Sequence, residues 1–460
     1  MKNPILPGHL SEAVSLTKAR LIKKAGFIIG TAALFSLSAV LALNMSVPVL
    51  LVCLVLYLKY LHADLNLKPY RLLNLALLFL IVIAAGFSVI GSGWDLSLVP
   101  FCVAPMLAVI LFNDLVIALI LTVGCAVTVS SIWVRPSEMA MIFMVSGLVS
   151  AMLVSGARKR TTIVNAGIIV GAIQALTLFF LRSMDPAQAP QCFFIFLNGA
   201  ACGIVVTGIL PVFEFLFGTI TNIKLLEMAD FNHPALNRLM LEAPGTYHHS
   251  LIVGNLSEAA SRAVGANSLL SRIGAYYHDI GKLEKPEYFS ENQGLKDNVH
   301  ETLAPNMSKL VIMNHVKEGI ELAKKYNLNP RIVDFIRQHH GTSLVYYFYR
   351  KALENGQEQQ EVNEEVFRYP GPKASTKEAA IVLLADSVEA ATRTLRDPSP
   401  QKIEELVHKI INNKFIDGQL DECDLTLKDL EKIAQVFGHI LGGIYHSRVH
   451  YPEEKNAAKG

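Results

Sequence analysis

Charge is scarce in this chain. Only 17% of its 460 residues are Asp, Glu, Lys or Arg, against 52% hydrophobic ones. A soluble domain usually carries about 25% charged residues, so the shortage points to an integral membrane protein. The deficit is local. Between Leu72 and Val134 the only ionisable acids or bases are Asp95 and Asp114, whereas the chain after Gly218 is as charged as a soluble domain. Cysteine is also sparse. Six are present, and Cys53, Cys102, Cys125, Cys192, Cys202 and Cys423 form no CxxC pair, which argues against a thiolate metal site or a redox pair. A net charge of +2 gives no global pull toward nucleic acid, so no duplex partner is expected and a phosphate-bearing ligand needs a local site.

Long apolar runs fill the first half. Residues 1–24 form a basic segment ending in Lys18, Arg20, Lys23 and Lys24, and no signal peptide with a small-residue cleavage site precedes the first run. Apolar stretches follow at 25–44, 46–61, 71–92, 97–112, 114–133, 139–156, 163–181 and 192–217. A helix needs roughly 20 apolar residues to cross ~30 Å of hydrocarbon, which predicts a polytopic region of seven or eight helices over 25–217. The stretch 25–61 can be threaded as one crossing or two. Arg158, Lys159 and Arg160 make the most basic short loop, which places that loop in the cytoplasm and, two crossings later, everything after 217 as well. Without a network of intramembrane charges a transporter is weakly supported.

After Gly218 the apolar residues recur at three-to-four spacing and period two is absent, which predicts an all-α domain. Linker helices are expected within 218–245, at Ile223–Met228 and Pro234–Leu241, ending in a turn at Ala243-Pro244-Gly245. A helical domain over 246–447 follows, with helices near 247–264, 268–280, 302–326, 330–340, 342–354, 375–395, 400–413 and 427–446. The polar run 354–365 reads as an exposed loop and 448–460 as a tail.

Histidine is what this half has in abundance: 12 of the 14 follow Gly218. His233, His300, His408, His439, His446 and His450 stand apart and read as surface or capping residues. The others cluster in His248-His249, His278-Asp279, His315 and His339-His340, with Asp386 further on. Imidazole is the commonest neutral ligand for transition metals, and a carboxylate can bridge two ions. Adjacent His and Asp on one helical wall can serve two ions side by side.

These residues resemble the HD-domain phosphohydrolases, helical enzymes named for the His-Asp pair. The resemblance is closer to the seven-transmembrane HD proteins that hydrolyse cyclic di-AMP. It is carried by Glu242–Ser250 (EAPGTYHHS), Gly274–Lys282 (GAYYHDIGK), Gln338–Ser343 (QHHGTS), Phe367–Lys373 (FRYPGPK) and Leu384–Ala390 (LADSVEA), and extends over nearly all of 71–447.

The resemblance implies a first metal on His249, His278, Asp279 and Asp386, with Asp279 bridging, and a second completed by His315, His339 and His340. A ligand set without thiolate suits Fe or Mn, with Zn also accepted. Two such ions activate a water and clamp phosphodiester oxygens for in-line displacement. The expected function is therefore a membrane-anchored phosphodiesterase opening cyclic di-AMP to linear pApA, with His278 and Asp279 at the chemistry.

Lys282 is a candidate phosphate ligand or leaving-group stabiliser, and Thr342, Ser343 and Arg368 are candidate substrate contacts. For Lys282 the alternative is a solvated helix-end lysine, for Thr342 and Ser343 helix N-caps, and for Arg368 a structural turn arginine. Competing functions are hydrolysis of another nucleotide such as cyclic di-GMP, and a non-hydrolysing nucleotide-binding membrane receptor. The lipid bilayer is an expected partner, and a homodimer is left open. The subfamily's large extracytoplasmic domain has no counterpart in the couple of dozen residues before the first apolar run, so a sensing role for it is not transferred.

Overall fold

A computed structural model describes residues 69–131, 136–293, 299–301, 303–355, 363–395 and 398–445. The expected apolar runs at 25–44 and 46–61, most of the polar loop 354–365 and the C-terminal tail lie outside those residues. The chain divides into two compact units between Ile223 and Lys224, inside the short helix α7 described below.

The first unit contains α1 (Pro69–Gly91), α2 (Val103–Phe112), α3 (Leu115–Ser130), α4 (Pro136–Val154), α5 (Arg160–Leu181) and α6 (Ala189–Phe217). Four of its segments, Leu73–Gly91, Ser137–Val154, Arg160–Leu181 and Pro186–Phe217, are long and apolar enough to cross a membrane. α2 and α3 are apolar but shorter. The expected start of a helix near 97 is replaced by a 3₁₀ turn at Leu96–Leu98, capped by Asp95, before α2 begins at Val103. Asp114 caps α3, accepting from the amides of Val116 and Ile117.

The unit is apolar outside as well as inside. Phe180 is 64% exposed and Phe215 86%, a surface that suits hydrocarbon and not water. Glycines let α5 and α6 approach closely. A Cβ on Gly167 would lie 2.8 Å from Gly203 Cα, and one on Gly171 would collide with the Phe196 carbonyl. Small residues of this kind allow membrane helices to pack backbone to backbone. The buried Asn198 is tied internally, donating to the carbonyls of Ser97 and Val99 at 2.8 and 2.9 Å.

Among its described residues the regular structure of the second unit is helical, apart from one isolated antiparallel bridge, Leu344 with Arg368. Its helices are α7 (Asn222–Met228), α8 (Pro234–Glu242), α9 (Pro244–Ala263), α10 (Ser268–Tyr277), α11 (Pro305–Lys325), α12 (Pro330–Gln338), α13 (Tyr346–Asn355), α14 (Lys377–Thr392), α15 (Pro400–Ile416) and α16 (Leu427–Ile444). The expected turn at Ala243-Pro244-Gly245 narrows to Ala243 alone. Pro244 is already the first residue of α9, where a proline's missing N–H costs no helical hydrogen bond. The expected start of a helix at 342 moves to 346, because Val345 donates to the Phe367 carbonyl and Tyr369 to that of Ser343.

The core lies around α14, which is buried almost all round. Leu383, Leu384, Ala385 and Val388 pack on Val253, Leu256 and Ala260 of α9, and on Ile403, Val407, Ile433 and Phe437 of α15 and α16. Two glycines bring the neighbouring helices in: Gly254 of α9 receives the Tyr276 ring, and Gly274 of α10 receives Phe335 of α12. Within this apolar helix Asp386 and Glu389 are the buried charges, and both turn toward the histidines. Of the isolated histidines, His233 caps α8 by accepting from the amide of Ala235. His300 departs from the expected surface position. It is buried, its Nε2 on the Tyr288 carbonyl and its ring against Phe348.

Candidate metal centre

Several elements converge on one buried site. His249 comes from α9, and His278 and Asp279 from the break where α10 gives way to a 3₁₀ turn at Ile280–Glu284. His315 comes from α11, His339 and His340 from the end of α12, and Asp386 from α14. All seven side chains that the family resemblance implied as ligands are brought together. Among the described residues they form two groups whose donor atoms lie within 4.8 Å of one another: His249, His278, Asp279 and Asp386; and Asp279, His315, His339 and His340.

Asp279 belongs to both groups, one oxygen facing each. Oδ2 lies 3.2 Å from His278 Nε2 and 3.7 Å from His249 Nε2. Oδ1 lies 3.4 Å from His315 Nε2 and 3.5 Å from His339 Nε2. Asp386 closes the first group at 3.1 Å from His249 Nε2 and points its other oxygen to His340 Nδ1 at 3.6 Å.

Backbone geometry fixes the ring orientations. His278 Nδ1 donates to the Ala275 carbonyl at 2.6 Å, His339 Nδ1 to the Ile336 carbonyl at 2.9 Å, and His315 Nδ1 to the Ile312 carbonyl. A carbonyl can only accept, so each Nδ1 carries a proton and, in the neutral ring, each Nε2 offers a lone pair to the site. Two of those lone pairs, on His315 and His339, face each other at 3.2 Å with no proton to share. Buried and without hydrogen-bond partners are His278 Nε2 and Asp279 Oδ1, while Asp279 Oδ2 is met by the Lys282 ammonium. Opposed lone pairs and orphaned buried acceptors are unfavourable by themselves and become favourable around cations, so the donor set fits metal ions.

Burial and the neighbouring carboxylates set the charges of these histidines in opposite directions. Burial works against protonation of His249, but Asp386 and Glu389 outweigh it and raise its pKa to about 9. Burial likewise opposes protonation of His278, and Asp279 and Asp386 outweigh it, raising it to about 10. In the second group burial prevails: His315 falls to about 4 and His340 well below the ordinary imidazole value. Burial alone would raise Asp279 and Asp386, yet the histidines, with Lys282 beside Asp279, hold both well below the carboxylate range. His249 and His278 thus favour their protonated forms where His315 and His340 favour neutral ones, and a cation entering the first group must displace protons.

The candidate substrate contacts are placed differently. Lys282 sits 2.8 Å from Asp279 Oδ2 and 2.7 Å from Glu291 Oε1, which neutralise it. Glu291 is in turn held by the Thr246 hydroxyl at 3.1 Å. Arg368 is paired with Asp417 and Glu364 at 2.9 and 2.6 Å and donates to the Thr342 carbonyl. Thr342 donates its amide to Gln419 Oε1, and Ser343 Oγ accepts from Lys414. Neither Thr342 nor Ser343 caps a helix, because α13 begins only at Tyr346.

Three residues at the site carry no role in the sequence reading. Glu389, buried, accepts from His249 Nδ1 and so plays for that ring the part that backbone carbonyls play for the others. Its signal was the i, i+3 spacing from Asp386, which puts both carboxylates on one face of α14. Tyr369 stacks on the His340 ring at 4.3 Å between centroids, and Lys414 reaches in from α15. No local spacing announces either of those two.

Comparison with known proteins gives the chain its family. Residues 25–221 match the family model "7TM receptor with intracellular HD hydrolase", and residues 246–391 match the HD domain. The chain is 43% identical over 323 residues to the cyclic-di-AMP phosphodiesterase PgpH of Bacillus subtilis, covering 69% of this chain and 45% of that protein. It is 38% identical over 393 residues to PgpH of Listeria monocytogenes, covering 84% of this chain and 54% of that protein. The crystal structure of the L. monocytogenes PgpH HD domain in complex with cyclic-di-AMP matches at 46% identity and TM-score 0.45, over 47% of this chain and all of that one. The chain spans about half the length of the curated relatives it matches. A membrane region of one model followed by the hydrolase domain of the other, at these identities, makes this chain a member of the seven-transmembrane receptors with an intracellular HD hydrolase.

Proposed function

We propose that this chain is a membrane-anchored, metal-dependent phosphodiesterase that opens cyclic di-AMP to linear pApA. The observation that carries the reading is Asp279, whose two oxygens face two separate ligand groups. That is the arrangement a pair of ions needs, and the relatives named above are cyclic-di-AMP phosphodiesterases. His249, His278, Asp279 and Asp386 would hold one ion and His315, His339 and His340, with Asp279, the other. Bound there, divalent Fe or Mn, which suit a nitrogen and oxygen donor set, would supply Lewis acidity toward the phosphoryl oxygens and an activated water.

The chain's own residues do the rest. Lys282, itself paired with Glu291, holds the Asp279 carboxylate between the two ligand groups, and Glu389 holds His249. Tyr369 covers the His340 ring, and burial of the ligands keeps bulk water from competing for them. In the overall reaction, water's oxygen joins phosphorus, the 3′ oxygen leaves and takes up a proton, and one of the two phosphodiesters opens. The basic loop Arg158-Lys159-Arg160 supports a cytoplasmic location for the second unit, where a nucleotide messenger is found.

The full chain in detergent, loaded with Mn or Fe(II), should convert cyclic di-AMP to pApA. Asp279→Ala should abolish turnover by withdrawing a ligand from both groups. Absence of turnover by metal-replete wild-type protein would overturn the reading.

A further inference from the structure

Cyclic di-AMP carries two phosphodiesters, and a metal pair can engage only the one being cut. The other arrives as an anion that burial makes costly unless a cation meets it. Lys282, Arg368 and Lys414 lie close to the ligands or to the segment that follows His340. Lys282 is neutralised by Asp279 and Glu291, and Arg368 by Asp417 and Glu364. Lys414 is different. It is half-buried, its ammonium donates to a neutral hydroxyl, Ser343 Oγ, at 2.7 Å, and among the described residues it forms no ion pair.

Its place is set by the metal site. The Ser343 amide donates to the carbonyl of the ligand His340 at 3.0 Å, and the Ser343 carbonyl accepts from Tyr369, which stacks on the His340 ring. Lys414 is thus tethered one turn beyond a ligand and within the electrostatic reach of Asp386, without touching any ligand atom. Burial pushes its amino group below the ordinary lysine value, with Asp386 and Asp417 opposing, which marks a cation short of compensation.

Resting on the functional reading above, we propose that Lys414, steadied by Ser343, binds the non-scissile phosphate of the cyclic dinucleotide and so selects two-phosphate rings over simple phosphodiesters. Lys414 lies in α15, beyond the residues matched by the HD domain model.

The test compares wild type, Lys414→Met and Lys414→Arg as full chains loaded with Mn, on cyclic di-AMP and on bis(4-nitrophenyl) phosphate, which has one phosphodiester. A lost charge-assisted contact predicts a roughly 10- to 100-fold higher KM of Lys414→Met for cyclic di-AMP, with kcat changed by less than about threefold. The single-phosphate substrate should be cleaved as by wild type, metal content should be unchanged, and Lys414→Arg should recover most of the affinity. An unchanged KM, equal losses on both substrates, or loss of metal from Lys414→Met would overturn the assignment. Wild-type protein that cleaves bis(4-nitrophenyl) phosphate but neither binds nor cleaves cyclic di-AMP would instead overturn the functional reading, and this role with it.

Discussion

Replacing Glu389 by Gln tests how much of the metal centre is held from behind the ligands. The carboxylate is 1% exposed, accepts from His249 Nδ1 and lies one helical turn from Asp386. Gln keeps the volume but turns a charge-assisted hydrogen bond into a neutral one, a loss of about 1–1.5 kcal/mol, and leaves the ring less firmly aimed. Removing the partner of a metal-ligating histidine typically costs 10–100-fold in affinity, or about 1.4–2.7 kcal/mol. The loss should fall on one ion of the two, because His315, His339 and His340 do not touch Glu389.

Competition against a chelator, with metal counted per chain, should therefore show one tight and one weakened ion. pH sharpens the test. Glu389 helps raise His249 to about 9, so in the wild type a proton competes with the metal below that pH. The Glu389→Gln change removes part of that competition along with the ligand support. The deficit should be widest near pH 9 and narrow as pH falls. Equal affinity for both ions within about twofold of wild type, at every pH, would refute the reasoning.

Lys282→Met leaves Asp279 and Glu291 as buried carboxylates without their shared cation, a change that typically costs about 3–5 kcal/mol in an apolar interior. Thermal unfolding of the metal-free chain should show a lower midpoint, and added metal should restore part of it by replacing the lost charge. In the wild type, burial raises Glu291 but Lys282 outweighs it, so Glu291 sits below its ordinary value. The stability it contributes is present above the unfolded carboxylate pKa and is lost as pH falls through the folded one, whereas Lys282→Met should lack that acid-side decline. Gly281→Ala would drive a methyl into the His315 carbonyl and to 2.5 Å from the Gly319 amide, forcing α11 away. Activity should drop with the occupancy of the His315 ion, and stability by about 1–3 kcal/mol, measured by metal content and denaturant unfolding.

The convergence of these histidines and aspartates was legible because the pattern is written in adjacent pairs: His278-Asp279 and His339-His340 are neighbours in sequence. Helix periods supplied the scaffold, and the ends of α10, α11 and α12 fell within a few residues of expectation. What escaped depends on partners far along the chain. The role of Lys282 turns on Glu291, and that of Arg368 on Asp417, 49 residues away. Ser343 meets Lys414 across 71 residues. A basic residue beside a metal motif looks the same in sequence whether its charge is matched by a carboxylate or kept for a ligand. Only the pairing distances separate Lys282 from Lys414. The late start of α13 has the same origin, since its helix propensity yields to hydrogen bonds with a strand-like segment some 20 residues on.

Three of the histidines anchor one nitrogen to a carbonyl within their own stretch of helix, which makes each ring a rigid pointer attached to its helix. A small slide of α11 past α12 therefore changes the separation of the His315 and His339 lone pairs almost one for one. Donors mounted in this way are brought together or parted like the scales of a vernier, by helix displacement alone, with every side chain still anchored.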